Sequence, residues 1–232
     1  MDFTKKIIVL FATLLFALNS TASEYKNSYY EDEGDLLFKI RGFYLNTNAK
    51  LTKLPSSVAN RPKPKSFAQN GYGIDTATTY FFTDNIATEL SIGFGIIRVK
   101  SAALASASSA FGNGGGNAGT KNEIYYVPAT ATVQYHVAPF GAFRPYVGGG
   151  YNGTFMHTRS KAIKTANGHG PVLQVGIDFV SKDDTIFTFD VRQYFLKSKV
   201  TFKKGFLNSD SNIGSTVVWN PIVISAGFGF KF

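Results

Sequence analysis

Apolar and polar residues alternate along most of the chain with a period of two, which is typical of β-strands with one apolar face. The chain ends on a clear example, in which Phe228, Phe230 and Phe232 alternate with glycines and Lys231. The pattern predicts eight strands: Leu36–Tyr44, Gly71–Phe82, Ile86–Ile96, Val127–Val137, Arg144–His157, Leu173–Phe179, Phe187–Arg192 and Ile224–Phe232. An even number of strands joined in order predicts an all-β, antiparallel, up-and-down β-barrel.

The predicted connections between these strands fall into two length classes. The short connections are 83–85, 139–143 and 181–184, and the long ones are 47–67, 101–122, 158–169 and 203–214. Long and short connections alternate along the chain, which would place every long loop at one end of the barrel. Transmembrane barrels of the outer membrane have this asymmetry, with short periplasmic turns and long outer loops.

Periodicity alone does not show which side of the wall the apolar face occupies. A soluble ligand-binding barrel turns that face inward, whereas a membrane barrel turns it towards lipid. Here the opposite face is dominated by Gly, Ser and Thr, as a narrow lumen requires. It also carries balanced charges, and buried charges need partners. We therefore predict a transmembrane barrel whose lumen is lined by Lys39, Arg41, Asp75, Glu89, His136, Asp178, Asp190, Arg192 and Lys231.

Aromatic residues support the outward orientation of the apolar face. They gather near the ends of the predicted apolar stripes, where membrane proteins carry aromatic girdles at the lipid interface. The aromatic residues at these positions are Tyr72, Tyr80, Phe82, Tyr135, Phe155 and Phe195.

The N-terminus predicts export. Lys5 and Lys6 precede an apolar run, Ile7–Leu18, which is followed by small residues. This order is that of a secretory signal peptide, and the run is too short to span a membrane as a helix. We predict a signal peptide over 1–22, with cleavage after Ala22 or Ser23. A short acidic periplasmic tail, 23–35, then precedes a barrel over 36–232.

Composition argues against catalytic and metal chemistry. The 232 residues include three His and no Cys, which gives little capacity for metal binding. No Ser/His or Asp/His constellation is apparent, so we predict neither an enzyme nor a cofactor. The net charge of +9 could favour an anionic partner. The basic residues concentrate in the predicted loops, which favours contact with lipopolysaccharide over nucleic acid.

Several segments resemble the OmpW family of outer-membrane barrels. They occur in the family's order and are FFTDNIATEL, VPATATVQYHV, RPYVGGGYNGTF, QVGIDF, FDVRQY and NPIVISAGFGFKF. The resemblance implies an eight-stranded barrel in the bacterial outer membrane with a narrow, partly hydrophobic lumen. Phe228, Phe230 and Phe232 also resemble the C-terminal signal that the barrel-assembly machinery reads.

Three functions are compatible with these observations. The first is a narrow channel or carrier for small molecules, including hydrophobic ones, as the resemblance implies. The second is a surface adhesin or host-interaction barrel that acts through its basic loops. The third is a soluble ligand-binding barrel, which would require the apolar face to point inward.

Overall fold

The computed structural model describes residues 34–53, 67–98, 123–137, 142–158, 163–181, 185–202 and 213–231. These residues form ten strand segments. They are β1 (Leu36–Lys53), β2 (Phe67–Phe81), β3 (Ile86–Arg98), β4 (Glu123–His136), β5 (Phe143–Thr158), β6 (Ile163–Val180), β7 (Thr185–Tyr194), β8 (Leu196–Phe202), β9 (Ile213–Trp219) and β10 (Ile222–Lys231). None of the described residues forms a helix long and apolar enough to cross a membrane.

The ten segments make eight barrel strands. Segments β7 and β8 are two parts of one strand, because both pair with β6. Segments β9 and β10 are likewise two parts of the last strand, because both pair with β1. Each strand pairs antiparallel with its neighbours in the sequence, and the last strand pairs with the first. The sheet therefore closes into the predicted eight-stranded up-and-down barrel, which leaves no open edge in the membrane.

A proline causes the break between β9 and β10. Pro221 has no N–H and cannot donate to the carbonyl oxygen of Tyr194 on the neighbouring strand. The side-chain amide of Gln193 supplies the missing donor, since its Nε2 donates to Tyr194 O at 3.0 Å. The same Nε2 donates to Pro221 O at 3.2 Å, so the side chain fastens both strands at this point.

The apolar stripe faces outward, as predicted. Leu90 and Ile92 are 60% and 58% exposed, whereas Glu89, which precedes Leu90 on the same strand, is 2% exposed. Several aromatic residues at the ends of the stripe are also exposed, including Tyr72, Tyr80 and Phe155. Large apolar side chains on this face are stable only when the barrel wall meets hydrocarbon. This orientation excludes the soluble ligand-binding barrel.

Two predicted connections, 47–67 and 158–169, were wrong in extent. Strand β1 continues to Lys53, and β6 begins at Ile163, so the connection between β5 and β6 is only 159–162. The strict alternation of long and short connections therefore fails at that point. The added residues of β6 pair with β8, and β8 pairs with β9. Backbone hydrogen bonds hold these extensions, and they lack the apolar alternation by which the other strands were recognised.

The interior of the barrel has three layers. A lower apolar layer lies at the end with the short turns and consists of Leu37, Phe81, Ala87, Val180 and Ile186. An upper apolar layer lies towards the long connections and consists of Phe43, Leu45, Ile97, Tyr126, Met156, Val172, Tyr194, Leu196, Trp219 and Val223. Buried charged residues fill the space between them and form the charged layer. The predicted signal peptide, 1–22, and most of the predicted tail lie outside the described residues.

Candidate functional site in the barrel lumen

The charged layer begins on β1, where Lys39 and Arg41 both point inward. Lys39 Nζ lies 2.7 Å from Asp178 Oδ2 and 4.0 Å from Glu89 Oε2. Arg41 Nε donates to Asp75 Oδ1 at 2.7 Å, and its Nη1 donates to Glu89 Oε1 at 3.2 Å. All five side chains are buried. Each charge therefore has a partner of opposite sign, as a site shielded from water requires.

A second arginine closes the network from the opposite wall. Arg192 Nη1 donates to Asp75 Oδ2 at 3.0 Å, and Nη2 donates to Glu89 Oε1 at 3.3 Å. Its Nε lies 2.7 Å from Asp190 Oδ1 on the same strand. Arg41 and Arg192 thus hold the same two carboxylates from two sides of the lumen. The planar fork of arginine suits this double contact.

Neutral groups complete the hydrogen bonding of the carboxylates. Gln174 Nε2 donates to Asp190 Oδ2 at 2.7 Å and to Glu89 Oε1 at 3.2 Å. Tyr146 also donates to Asp190, at 3.2 Å, and Ser225 does so at 3.1 Å. Gln174 therefore links two carboxylates that belong to different strands. The amide oxygen of Gln174 in turn accepts from Thr132 at 2.8 Å.

His136 lies at the lower boundary of the charged layer. Its ring stacks on Tyr146 with 4.9 Å between centroids, and it meets Phe81 of the lower apolar layer edge-on at 4.8 Å. Its Nε2 is 3.0 Å from Gln134 Oε1. The side chain is buried between the rings of Phe81 and Tyr146. Within the described residues, no group of three or more His, Asp or Glu could hold a metal ion.

The structure brings eight of the nine predicted lumen residues to the interior and leaves one outside it. Lys231 lies at the short-turn end of the barrel, where its half-exposed side chain pairs with Asp35 at 2.5 Å. Alternation placed Lys231 on the inward-facing register, but its position at the end of the last strand puts it beyond the charged layer. Phe228 and Phe230 are exposed to the lipid side, and Phe232 lies outside the described residues.

The upper apolar layer borders a small cavity above the charged layer. The cavity measures about 10 Å³, which is room for about one water molecule. Apolar and aromatic side chains form its upper wall, and Asp75, Ser91 and Arg192 form its floor. The cavity therefore ends at the ion pair of Asp75 and Arg192, which separates it from the lower apolar layer.

The barrel wall is interrupted beside this cavity. Strands β3 and β4 pair from Ile86 to Ile92 and again from Gly95 to Arg98. Between these stretches, Gly93 and Phe94 have no paired residue on β4. Pro128 lies opposite Gly93 and has no N–H to donate to the Gly93 carbonyl. Both Gly93 and Pro128 line the cavity. The wall is thus held by fewer backbone hydrogen bonds at the level where the apolar space meets the charged layer.

Comparison with known proteins identifies the family. The profile described as the OmpW family matches residues 32–232. A protein of Rickettsia bellii described as an outer membrane protein is 45% identical over 205 residues, which cover 88% of this chain and 83% of that protein. The chain belongs to the OmpW family. As a member of that family it is an outer-membrane protein, in agreement with the predicted localisation.

Solved structures agree with the OmpW fold. The crystal structure of the outer membrane protein OprG from Pseudomonas aeruginosa matches with a TM-score of 0.66 at 20% identity, covering 89% of this chain and 99% of that chain. The solid-state NMR structure of the outer membrane protein AlkL in lipid bilayers matches with a TM-score of 0.61 at 20% identity, covering 90% and 94%. At this identity the two matches establish the shared barrel fold.

Sequence reasoning missed Gln174, Tyr146 and Arg144 as parts of this OmpW-type lumen. Gln174 and Tyr146 face inward by the same alternation that marked the charged residues, so the signal for them was present. Arg144 is buried and lies opposite Asp178 in the ladder. Gln174 and Tyr146 were not predicted because a neutral side chain on the inward face does not by itself indicate a partner for a buried charge. Arg144 was not predicted because it is the first residue of its predicted strand, where the apolar alternation begins.

Among the basic residues of the predicted loops, Lys50 and Lys53 belong to β1 and Lys164 to β6, and the other lysines and arginines of these loops lie outside the described residues. The adhesin hypothesis therefore stays a prediction.

Proposed function

We propose that this OmpW-family barrel is a narrow channel or carrier that takes small hydrophobic molecules into the outer membrane through its wall. The observation that carries the proposal is the order of the layers inside the barrel. An apolar layer lies on the side of the long connections, and a layer of buried ion pairs lies beneath it. An apolar solute would gain from contact with the first layer and would meet a large free-energy barrier at the second.

The interrupted ladder supplies a route that avoids the charged layer. A solute in the upper apolar layer would lie beside Gly93 and Pro128, where β3 and β4 lack two pairs. Separating the strands there breaks fewer hydrogen bonds than separating them elsewhere, and each broken backbone bond in hydrocarbon is costly. The solute would then pass sideways into the hydrocarbon of the bilayer. In the closed state the cavity has room for about one water molecule, so the wall must open during passage.

Replacing Pro128 tests this route. The variant Pro128→Ala regains an N–H that can donate to the Gly93 carbonyl and complete the ladder. We expect cells carrying this variant to take up a small apolar fluorescent probe, such as N-phenylnaphthylamine, several-fold more slowly than cells carrying the parent protein. Outer-membrane amounts of the two proteins are matched by heat-dependent migration on a gel, which reports folded barrel.

Pro145→Ala is the matched control, because it makes the same replacement elsewhere. Pro145 lies in β5 close to the short turns, beside Arg144, and it does not line the cavity. Its replacement should leave probe uptake unchanged. Equal uptake by the parent and Pro128→Ala would exclude the lateral route. Uptake no greater than in cells lacking the protein would exclude the channel or carrier function altogether.

A further inference from the structure

Two basic residues lie side by side on the outer wall of the barrel. His169 in β6 is the direct cross-strand partner of Lys197 in β8, and both side chains are exposed. Side chains that are directly opposite in an antiparallel ladder have Cβ atoms about 4.5–5.5 Å apart. The Lys197 ammonium and the His169 imidazole therefore share one small area, and a single anion between them would contact both.

The pair lies at the edge of the apolar band. On β6 the outward-facing residues run from Phe179 through Leu173 to Pro171, and His169 is the next outward-facing position. On the neighbouring strand Lys197 follows Phe195 in the same way. A strand tilted about 45° crosses the hydrocarbon in roughly 9–11 residues, which matches the distance from Phe179 to His169. His169 and Lys197 are thus at the level of the lipid headgroups, on the side of the long connections and the outer leaflet.

A third residue holds the histidine in place. The hydroxyl of Tyr151 lies 2.6 Å from His169 Nδ1, and the two rings are 6.0 Å apart. When Tyr151 donates to Nδ1, the ring proton resides on Nε2, which is then free to donate to a ligand. Tyr151 is itself 54% exposed on the outward face, so its ring offers apolar surface just below the two basic groups.

The surroundings favour an anion. No Asp or Glu whose side chain the structure describes lies on the outward face at this end of the barrel. The described carboxylates are in the lumen or at the short-turn end, where Asp35 pairs with Lys231. His169 and Lys197 therefore have no carboxylate partner among them, so either water or an anion of the membrane surface contacts the Lys197 ammonium and the His169 imidazole.

We propose that Tyr151, His169 and Lys197 form a binding site for a phosphate group of lipopolysaccharide in the outer leaflet. Lys197 would supply the charge and His169 Nε2 a directed hydrogen bond. The acyl chains below the phosphate would lie along Tyr151, Leu173 and Phe195. The site is on the outer wall, so the proposal does not depend on transport through the lumen. The ligand is the membrane lipid, because the site combines headgroup level, basic groups and an adjoining apolar surface.

Binding of purified lipid A tests the site. The folded full-length mature protein in detergent is titrated with bisphosphorylated lipid A, and binding is measured by native mass spectrometry. Dephosphorylated lipid A with the same acyl chains is the second probe. We expect the double variant His169→Gln/Lys197→Gln to bind the bisphosphorylated lipid roughly tenfold more weakly, given the usual contribution of a basic residue near an anionic surface. Both proteins should bind the dephosphorylated lipid equally.

Two further variants separate charge from positioning. Lys197→Arg keeps the charge and should retain binding of the bisphosphorylated lipid. Tyr151→Phe removes the hydroxyl that orients His169 and should weaken binding by a smaller factor than the double variant. All three positions of these variants are exposed, and heat-dependent gel migration checks that each barrel folds. If the double variant fails to fold, Lys197→Gln alone gives the same comparison, with an expected loss of about fivefold.

Three results would overturn the proposal. Equal binding of bisphosphorylated lipid A by the parent and the double variant would show that these residues do not hold the phosphate. Equal binding of the two lipids by the parent would show that the phosphate is not recognised. Displacement of the lipid by inorganic phosphate at similar concentration would show a site for free phosphate instead of a lipid site.

Discussion

Arg192 Nε lies 2.7 Å from Asp190 Oδ1, the carboxylate two positions earlier on the same strand. The inward-facing register places both on one face, and the remaining nitrogens of Arg192 reach Asp75 and Glu89 across the lumen. One guanidinium thus contacts three buried carboxylates. This arrangement leaves little redundancy, because no other described cation contacts all three.

Removing this guanidinium should destabilise the barrel strongly. In Arg192→Met, three buried carboxylates lose a partner, and breaking a buried ion pair typically costs about 3–5 kcal/mol. Urea unfolding in lipid vesicles measures the change, with Trp219 as an intrinsic fluorescent probe because it is the chain's one tryptophan. Lys231→Met is the matched control. Its half-exposed pair with Asp35 should contribute about 1 kcal/mol or less. A similar loss of unfolding free energy in both variants would contradict the expectation that the contacts of Arg192 stabilise the barrel more than the Lys231–Asp35 pair does.

Two glycines of β5 should differ sharply in their tolerance of a methyl group. A Cβ on Gly150 would lie against the carbonyl oxygen of Ala131, whereas a Cβ on Gly153 would meet nothing within 4 Å. We expect Gly150→Ala to lose about 1–3 kcal/mol of unfolding free energy and Gly153→Ala to be nearly neutral. The same urea experiment measures both. Equal stability of the two variants would mean that β4 and β5 approach less closely at Gly150 than described.

Neighbouring residues on β7 should report the two sides of the wall. Phe189 is 49% exposed towards lipid, and Thr188 is 4% exposed towards the interior. The chain has no cysteine, so single-cysteine variants can be labelled without background. Cys replacing Phe189 should react with a lipid-soluble maleimide, and Cys replacing Thr188 should stay unreactive until the barrel unfolds. If the cysteine at position 188 reacted and the cysteine at position 189 were protected, the inward and outward faces of the wall would be the reverse of those described.

Deleting Phe232 should reduce assembly more than stability. The residue resembles the end of the C-terminal assembly signal, and its loss removes at most one apolar side chain, worth about 1.5–3 kcal/mol if it is fully buried. We expect less protein in the outer membrane and a similar urea midpoint for the fraction that folds. Phe189→Leu, which alters a lipid-facing residue away from the C-terminus, should leave the amount unchanged. Equal outer-membrane amounts for the deletion and the parent would contradict this prediction.

The sequence predicted the eight strands and their inward and outward faces because lipid on one side and a crowded lumen on the other impose a strict period of two. It did not predict how far the strands extend beyond the bilayer. Residues such as Asn167 and Gly168 belong to β6 through backbone pairing with β8, which leaves no trace in apolar alternation. The period of two also shows which side of the wall a residue faces, but it does not show the residue's position along the barrel axis. For this reason Lys231 was predicted to lie in the lumen, although it lies at the end of the barrel.

The partners within the charged layer were also beyond reach of the sequence. Lys39 and Asp178 are paired although 139 positions separate them. Their contact depends on the stagger between strands around the whole barrel, which no local pattern specifies. Gln174 shows the same limit, since a neutral amide becomes central only when the curvature of the wall brings Glu89 and Asp190 to it.

The pairing of β1 with β10 has a consequence for how the protein folds. Leu37 lies opposite Lys231, so the ring of backbone hydrogen bonds is complete only after the last residues of the chain have been made. Pairing residues this far apart in the chain carries a loop-closure entropy cost and slows folding. Until closure, β1 and β10 are open sheet edges that can pair with other chains. Aggregation and barrel closure thus compete for the same two strand edges, and the rate of joining them decides the yield of folded protein.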